Sequence, residues 1–200
     1  NEGACSTKLG LRGTPSACED VMSARDLIRA ECTDGRGHIA HMSTARGVDL
    51  VRVAKQRGVG VTCEVTPHHL ALTEEAVTEY ETQYKMNPPL RSEADRAMLI
   101  TGVKDGTIDV IASDHAPHTG TDKDVEFDMA AHGVIGMETV LPVVYTTLVE
   151  EEGLEIPRLV ELLSTAPARV IGRASKGTLA PGADADVTVW SANETYAIDA

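Results

Sequence analysis

Apolar residues recur along this chain with two different periods, and the two periods alternate. Val21, Ala24, Leu27 and Ile28 repeat at helical spacing behind Ser16 and Glu19, which have the spacing of a capping box. They predict a helix from Ser16 to about Thr33, ended by Gly35 and Gly37. His38-Ile39-Ala40-His41-Met42 reads as a short strand. Thr44 caps a second helix in which Val48, Val51 and Ala54 share a face, with Gly58 just past its end. Val59 to Val65 is a second strand, closed by Thr66-Pro67-His68-His69. Thr73, Glu74 and Glu75 suit a short helix start, with acids in the first turn. Lys85-Met86-Asn87-Pro88-Pro89-Leu90-Arg91 reads as loop, because two prolines remove two donors. Ser92 and Asp95 resemble another capping pair, ahead of Met98, Leu99 and Val103, and Gly106 closes that helix. Ile108 to Ala112 is an apolar run of the kind a strand buried on both faces shows, and it stops at Ser113-Asp114-His115-Ala116-Pro117-His118.

This order predicts an α/β chain with a parallel sheet and crossover helices. The rhythm changes on either side. Residues 1–15, with Gly3, Gly10, Gly13 and Pro15, read as loop. Thr119 to His132 is polar, with Asp122, Asp124, Glu126 and Asp128; it is a solvated face or, at that length, an active-site lid. Gly133 and Gly136 flank its end. Met137 to Val149 predicts an apolar helix interrupted by Pro142, and Pro157 to Leu163 and Pro167 to Ile171 predict two more. After a turn at 177–182, Asp186-Val187-Thr188-Val189-Trp190 alternates as a strand and looks like the edge of a separate small β domain. The predicted division is therefore 1–173 and 174–200.

Composition narrows the function classes. A net charge of −13 argues against nucleic acid or an anionic membrane as partner. An aromatic content of 3% leaves little with which to stack nucleobases. No apolar run approaches the length of a transmembrane helix, and no stretch has the form of a signal peptide. Cys5, Cys18, Cys32 and Cys63 form no CxxC pair, as expected of free thiols in a reducing cytoplasm. The chain begins at Asn1 in mid-pattern, as a segment of a longer protein does.

In parallel α/β folds ligands sit at the carboxyl edge of the sheet. His41 and Asp114 each end a predicted strand, with one strand between them. An imidazole and a carboxylate together suit a divalent metal, zinc among them, and an Asp beside such a metal can take a proton from water. An isolated histidine is more often a hydrogen-bonded core residue, and Asp114 could equally cap a helix. Asn87, in a rigid loop, offers a donor and an acceptor to an amide or imide edge; it could equally be a turn residue before proline. His68 and His69 end a strand: one faces the site and the other packs, with a structural role the expectation for both. His118 could meet an anion as a donor, or be an exposed loop histidine. His38 starts its strand at the wrong end and reads as structural. His132 adjoins Gly133, where backbone can approach a ligand.

His41-Met42-Ser43-Thr44, Glu64-Val65-Thr66-Pro67-His68-His69-Leu70, Lys85-Met86-Asn87-Pro88-Pro89-Leu90-Arg91 and Asp114-His115-Ala116-Pro117-His118 resemble, in order and spacing, the class I dihydroorotases of the amidohydrolase superfamily. Gly10-Leu11-Arg12-Gly13-Thr14-Pro15-Ser16 and the Gly177 to Asp186 stretch fit as well. The resemblance implies a (β/α)8 TIM barrel with a small β-sandwich, of which this chain is the C-terminal part. It implies zinc, two ions per complete site, with His41 as the sixth-strand ligand and Asp114 as the eighth-strand ligand and catalytic proton acceptor. It implies substrate contacts from Asn87, His118, His132 and Gly133, although relatives often carry an aromatic at the His132 position. The implied reaction interconverts (S)-dihydroorotate and N-carbamoyl-L-aspartate in pyrimidine synthesis. The implied protein partners are a second copy or aspartate transcarbamoylase. A first-strand His-x-His, a bridging carboxylate and a fifth-strand histidine have no counterpart here. The alternatives are another cyclic amidohydrolase, of the allantoinase or hydantoinase type, or a non-catalytic dihydroorotase-like partner of the transcarbamoylase. With two of the family's ligands, the segment alone is expected to be catalytically silent.

Overall fold

Three short parallel strands carry the ends on which the candidate residues sit. The structure is a computed structural model that describes residues 1–195 and 197. In chain order the elements are α1 (Ala4–Leu9), α2 (Ser16–Thr33), β1 (Gly37–Ile39), α3 (Ala45–Gln56), β2 (Val61–Val65), α4 (Pro67–Ala71), α5 (Glu93–Lys104), β3 (Val110–Ile111), α6 (Gly120–Lys123), α7 (Val140–Val144), α8 (Ile156–Val160) and α9 (Ala166–Val170). The sheet order is β1-β2-β3, all parallel, with Gly37 opposite Val61 and Val65 opposite Ile111. The predicted helix–strand alternation and parallel pairing are therefore present, in strands shorter than the sequence patterns suggested.

The core lies between this sheet and its crossover helices. Val48 and Val51 of α3, Leu99 and Val103 of α5, Val65 of β2 and Ile108 are almost fully buried. Each fully buried side chain of this size contributes roughly 1.5–3 kcal/mol of hydrophobic stabilisation. Thr44 and Ser92 cap α3 and α5 as read, the first accepting from Gly47 N and the second from Asp95 N. Gly58 and Gly106 follow their helices with φ of 82° each. The four cysteines are free thiols. No helix among the described residues is long and apolar enough to cross a membrane.

Several expectations are corrected. Residues 1–15 are not all loop: α1 forms between Gly3 and Gly10, and Gly10 ends it with φ 68°. The Ser16–Glu19 box does not form, and Pro15 takes the cap position with no side-chain bond. Glu19 instead accepts from Ser43 N at 2.7 Å and from Ser43 Oγ, and pairs with the buried Arg91 at 3.4 Å. A buried guanidinium needs a charged partner more than a helix terminus does, because an unpaired buried charge costs more than an uncapped N–H. Arg91 also donates to Ser43 Oγ and to Thr14 O, so it ties the loop after β1 to the N-terminal segment.

Pro142 does not interrupt its helix. It lies in the first turn of α7, where its missing N–H has no carbonyl to meet, and the helix continues as a wider π turn over Tyr145–Glu151. The two helices expected at 157–163 and 167–171 are one continuous helical run, with a π segment at Glu161–Thr165 just before Pro167. Widening the helix there accommodates a proline ring that cannot donate to the preceding turn. The polar 119–132 stretch contains α6 and the buried Lys123, whose Nζ donates to Thr82 O and Ala131 O.

Asp186 to Trp190 forms no strand. Val187 and Val189 are exposed, and the Trp190 ring meets Tyr145 edge-on at 5.3 Å. A single strand with no ladder partner leaves its main chain in water and gains nothing from extension. Residues 196 and 198–200 of that expected tail lie outside the described residues.

Candidate active site

The site begins where each strand stops. Beyond β1 the chain runs into His41 with φ 37°, and beyond β3 into Asp114 with φ 49°. Both are non-glycine residues in the left-handed region, a costly conformation that persists only when the surroundings hold it. His41 is held from β2: its N–H points at Glu64 Oε1 (3.4 Å), and the next N–H, of Met42, donates to Glu64 O (2.9 Å). Asp114 follows Ala112, whose N–H extends the ladder to Val65 O at 3.1 Å. Between them β2 ends in Thr66, which caps α4, and Pro67 opens that helix. His68 is thereby placed in the first turn of α4, with its Nε2 3.9 Å from Asp114 Oδ2.

The two histidines after β2 differ completely. His69 Nε2–H donates to Pro88 O at 3.0 Å, which leaves Nδ1 to accept from the Thr66 hydroxyl at 2.7 Å. It is a satisfied, buried anchor between β2 and the proline loop, and burial holds its pKa down to about 3. His68 is also buried, and burial followed by the proximity of His41 lowers its pKa to about 4. Its Nε2 has no partner, and neither has the buried Nδ1 of His41.

Two orphaned imidazole nitrogens beside a carboxylate invite explanation, because buried polar atoms in proteins are almost always paired or bound to an ion or water. Burial pushes the Asp114 carboxyl above the usual carboxylate range; nearby His41 opposes the shift and Glu64 adds to it. A carboxylate of raised pKa in a partly open setting is a better proton acceptor than a surface aspartate. For Glu64 burial acts upward, but the hydrogen bond and charge of His38, with the His41 N–H, hold it low overall. His38 donates or accepts at Thr62 Oγ1 (2.8 Å) and lies 3.0 Å from Glu64 Oε2.

His41, His68, Asp114 and Glu64 are thus brought to one edge of the sheet. His41 and Asp114 have the donor chemistry of metal ligands. Among the described residues no group of three or more His, Cys, Asp or Glu is arranged to hold an ion. The pair therefore fits part of a coordination shell and not a whole one.

The remaining candidates gather on an adjoining wall. Asn87 and His132 line one cleft with Arg12, Lys85 and Phe127. Tyr84 and Met86 border both that cleft and the next one, which contains His68 and Ser113. His118 Nε2–H donates to His132 O at 2.7 Å, so its Nδ1 is the ring atom left for a ligand. Gly133 N–H donates to Lys85 O at 2.8 Å. A Cβ on Gly133 would fall 2.6 Å from Ala116 Cβ, and its φ of 109° would strain any other residue independently. Burial, then the charges of Lys85 and Lys123, holds the His132 imidazole low. His115 Nδ1 accepts from Gly136 N (3.0 Å) and Met137 N (3.2 Å), a structural role.

The sequence leaves open which of His68 and His69 faces the site, and it gives no role to Glu64. His68 was indistinguishable from His69 by type and neighbourhood. Glu64 had a signal: it is the charged residue of a strand whose alternate positions, Val61, Cys63 and Val65, are buried.

Comparison with known proteins identifies the family. A family model described as the amidohydrolase family matches residues 18–199. The chain is 50% identical over 199 residues to the dihydroorotase of Acetivibrio thermocellus and 53% identical over 199 residues to that of Pelotomaculum thermopropionicum. All of the chain is covered in both cases, but it spans only 46% of each relative's length. Among solved structures, the L-hydantoinase (dihydropyrimidinase) of Arthrobacter aurescens superposes with a TM-score of 0.82 at 33% identity, covering 86% of this chain and 39% of that one. The D-hydantoinase (dihydropyrimidinase) of a Thermus species gives 0.81 at 29% identity, covering 90% and 43%.

Proposed function

The chain belongs to the amidohydrolase family, and on that premise we propose that it is the C-terminal part of a dihydroorotase, which interconverts (S)-dihydroorotate and N-carbamoyl-L-aspartate. The observation that carries this reading is identity of 50–53% over the whole chain to proteins named dihydroorotase. The three strands are then consecutive strands of a (β/α)8 barrel, residues 1–173 belong to it, and residues 174–200 join a small β-sandwich. The unpaired 186–190 segment suits that role, as a strand whose partners lie elsewhere.

The orphaned buried Nδ1 of His41, and the Asp114 carboxyl on which the His41 charge acts, support a metal, and zinc is the ion proposed. His41 and Asp114 would be two of its ligands. Bound there, zinc supplies Lewis-acid polarisation of the ring carbonyl at neutral pH. The chain's own residues do the rest. Asp114 takes the proton of the attacking water on a carboxylate oxygen and returns it to the leaving ring nitrogen. Asn87 offers an amide to the polar edge of the ring. His118, fixed through Nε2 on His132 O, presents Nδ1 to the substrate, and the His132–Gly133 backbone closes that wall. Holding the ring against Asp114 converts the proton transfers into local steps.

The structural likeness to hydantoinases favours a second reading, hydrolysis of another cyclic amide. A substrate panel on the zinc-loaded full-length enzyme separates the two. Dihydroorotate is expected to be hydrolysed with a kcat/KM well above that for hydantoin, dihydrouracil or allantoin. Preference for any of those three would overturn the reading.

A further inference from the structure

The reaction assigned to Asp114 uses a carboxylate that swings freely unless something fixes it, and none of its own oxygens is held by a hydrogen bond among the described residues. A candidate is the Nε2 of His68, 3.9 Å from Asp114 Oδ2. That nitrogen is buried and has no partner, on a side chain only 8% exposed. Its position is fixed from three sides. Thr66 caps α4 two residues before it, the satisfied His69 ring packs on it with centroids 4.6 Å apart, and Leu72 N–H closes the short helix on His68 O. A ring held that firmly, with its buried, unpaired Nε2 3.9 Å from a carboxylate oxygen, is arranged to donate.

We propose that His68 is a positioning residue for Asp114, donating Nε2–H to Oδ2 and so reserving the other carboxylate oxygen for the metal and the proton transfer. The inference rests on the reading of Asp114 given above. The ionised carboxylate can only accept, so Nε2 must carry the hydrogen. The separation of 3.9 Å is longer than a hydrogen bond, and such contacts commonly tighten when a site is loaded. Groups that orient a metal-bound side chain in this way typically change metal affinity or activity by about 10–100-fold when removed.

The test compares His68→Gln, His68→Asn and His68→Leu with Asp114→Asn in the full-length enzyme. Zinc affinity is measured by chelator competition, and kcat and KM for dihydroorotate are measured separately. A glutamine amide reaches about as far as Nε2, whereas an asparagine amide stops short of it. The expected result is zinc affinity about 10–100-fold weaker in the Leu and Asn variants. Their kcat falls while KM moves little, and Gln restores both properties to near wild type. Because Gln and Asn are equally polar and fold at similar cost, a Gln variant as impaired as the Asn variant overturns the proposal. So does wild-type zinc affinity in the Leu variant. Loss of affinity in Asp114→Asn with none in the His68 variants overturns the His68 role alone. Retained affinity and turnover in Asp114→Asn overturn the reading on which it rests.

Discussion

Two adjacent histidines show what a residue's surroundings decide. His68 and His69 are the same residue type at the same strand end, and the sequence does not say which of them faces the site and which packs. Partners separate them: His69 is satisfied at both ring nitrogens, and His68 is left open at Nε2 toward Asp114. His69→Phe would strand Pro88 O and the Thr66 hydroxyl, and the expected cost is about 1–3 kcal/mol. The loss should depend on pH in a definite direction. The folded state holds His69 neutral down to about pH 3, whereas in the unfolded chain it titrates near its usual 6.5. Below that usual value the unfolded state binds a proton that the folded state refuses. Stability is therefore fully present above 6.5 and declines as pH falls toward 3, by up to about 1.4 kcal/mol per pH unit. His68 adds a similar decline that ends nearer pH 4. Urea unfolding at pH 7, 6 and 5 should show the gap between wild type and His69→Phe narrowing as pH falls. A gap of constant size would contradict the buried, neutral assignment.

At the scale of elements, local signals were legible wherever a cap or a period acted alone. Thr44 and Ser92 cap the helices they precede, and the apolar faces of α3 and α5 meet the sheet. They misled where tertiary partners outbid them. Glu19 leaves its helix terminus for Ser43 and Arg91, and Gly3 and Gly10, which read as loop, are the ends of α1. Asp186 to Trp190 has a strand's alternation but no ladder partner among the described residues. The loop that closes the Asn87 wall is held by one glycine whose need was partly visible. Gly133 stands at φ 109° against Ala116. Gly133→Ala should cost about 1–3 kcal/mol from backbone strain alone, with more from the clash. It should also displace the His132 carbonyl from His118. Thermal unfolding together with the KM for dihydroorotate checks both; an unchanged KM would show that this wall does not meet the substrate.

For the whole molecule, the alternation of periods gave the parallel sheet, and the strand ends gave His41 and Asp114. The third member of the cluster, His68, required coordinates, because spacing alone does not say which of two neighbours turns inward. On the proposed reading the chain contributes His41 and Asp114 to a coordination shell, and two ligands cannot fix a zinc ion's geometry. Calorimetric titration of the 200-residue chain should therefore show zinc binding at least about 100-fold weaker than that of the full-length enzyme. Tight stoichiometric binding would mean that other side chains, or a second copy, complete the site. The claim on which the rest depends is that Asp114 handles the proton in a dihydroorotase reaction. Turnover of (S)-dihydroorotate by the zinc-loaded full-length enzyme, compared with its Asp114→Ala variant at saturating substrate, tests it most directly. The account predicts turnover by the wild type and a fall in kcat of at least about 10²–10⁴-fold in a variant that remains folded. Undiminished turnover in that variant, or none in the wild type, would contradict it.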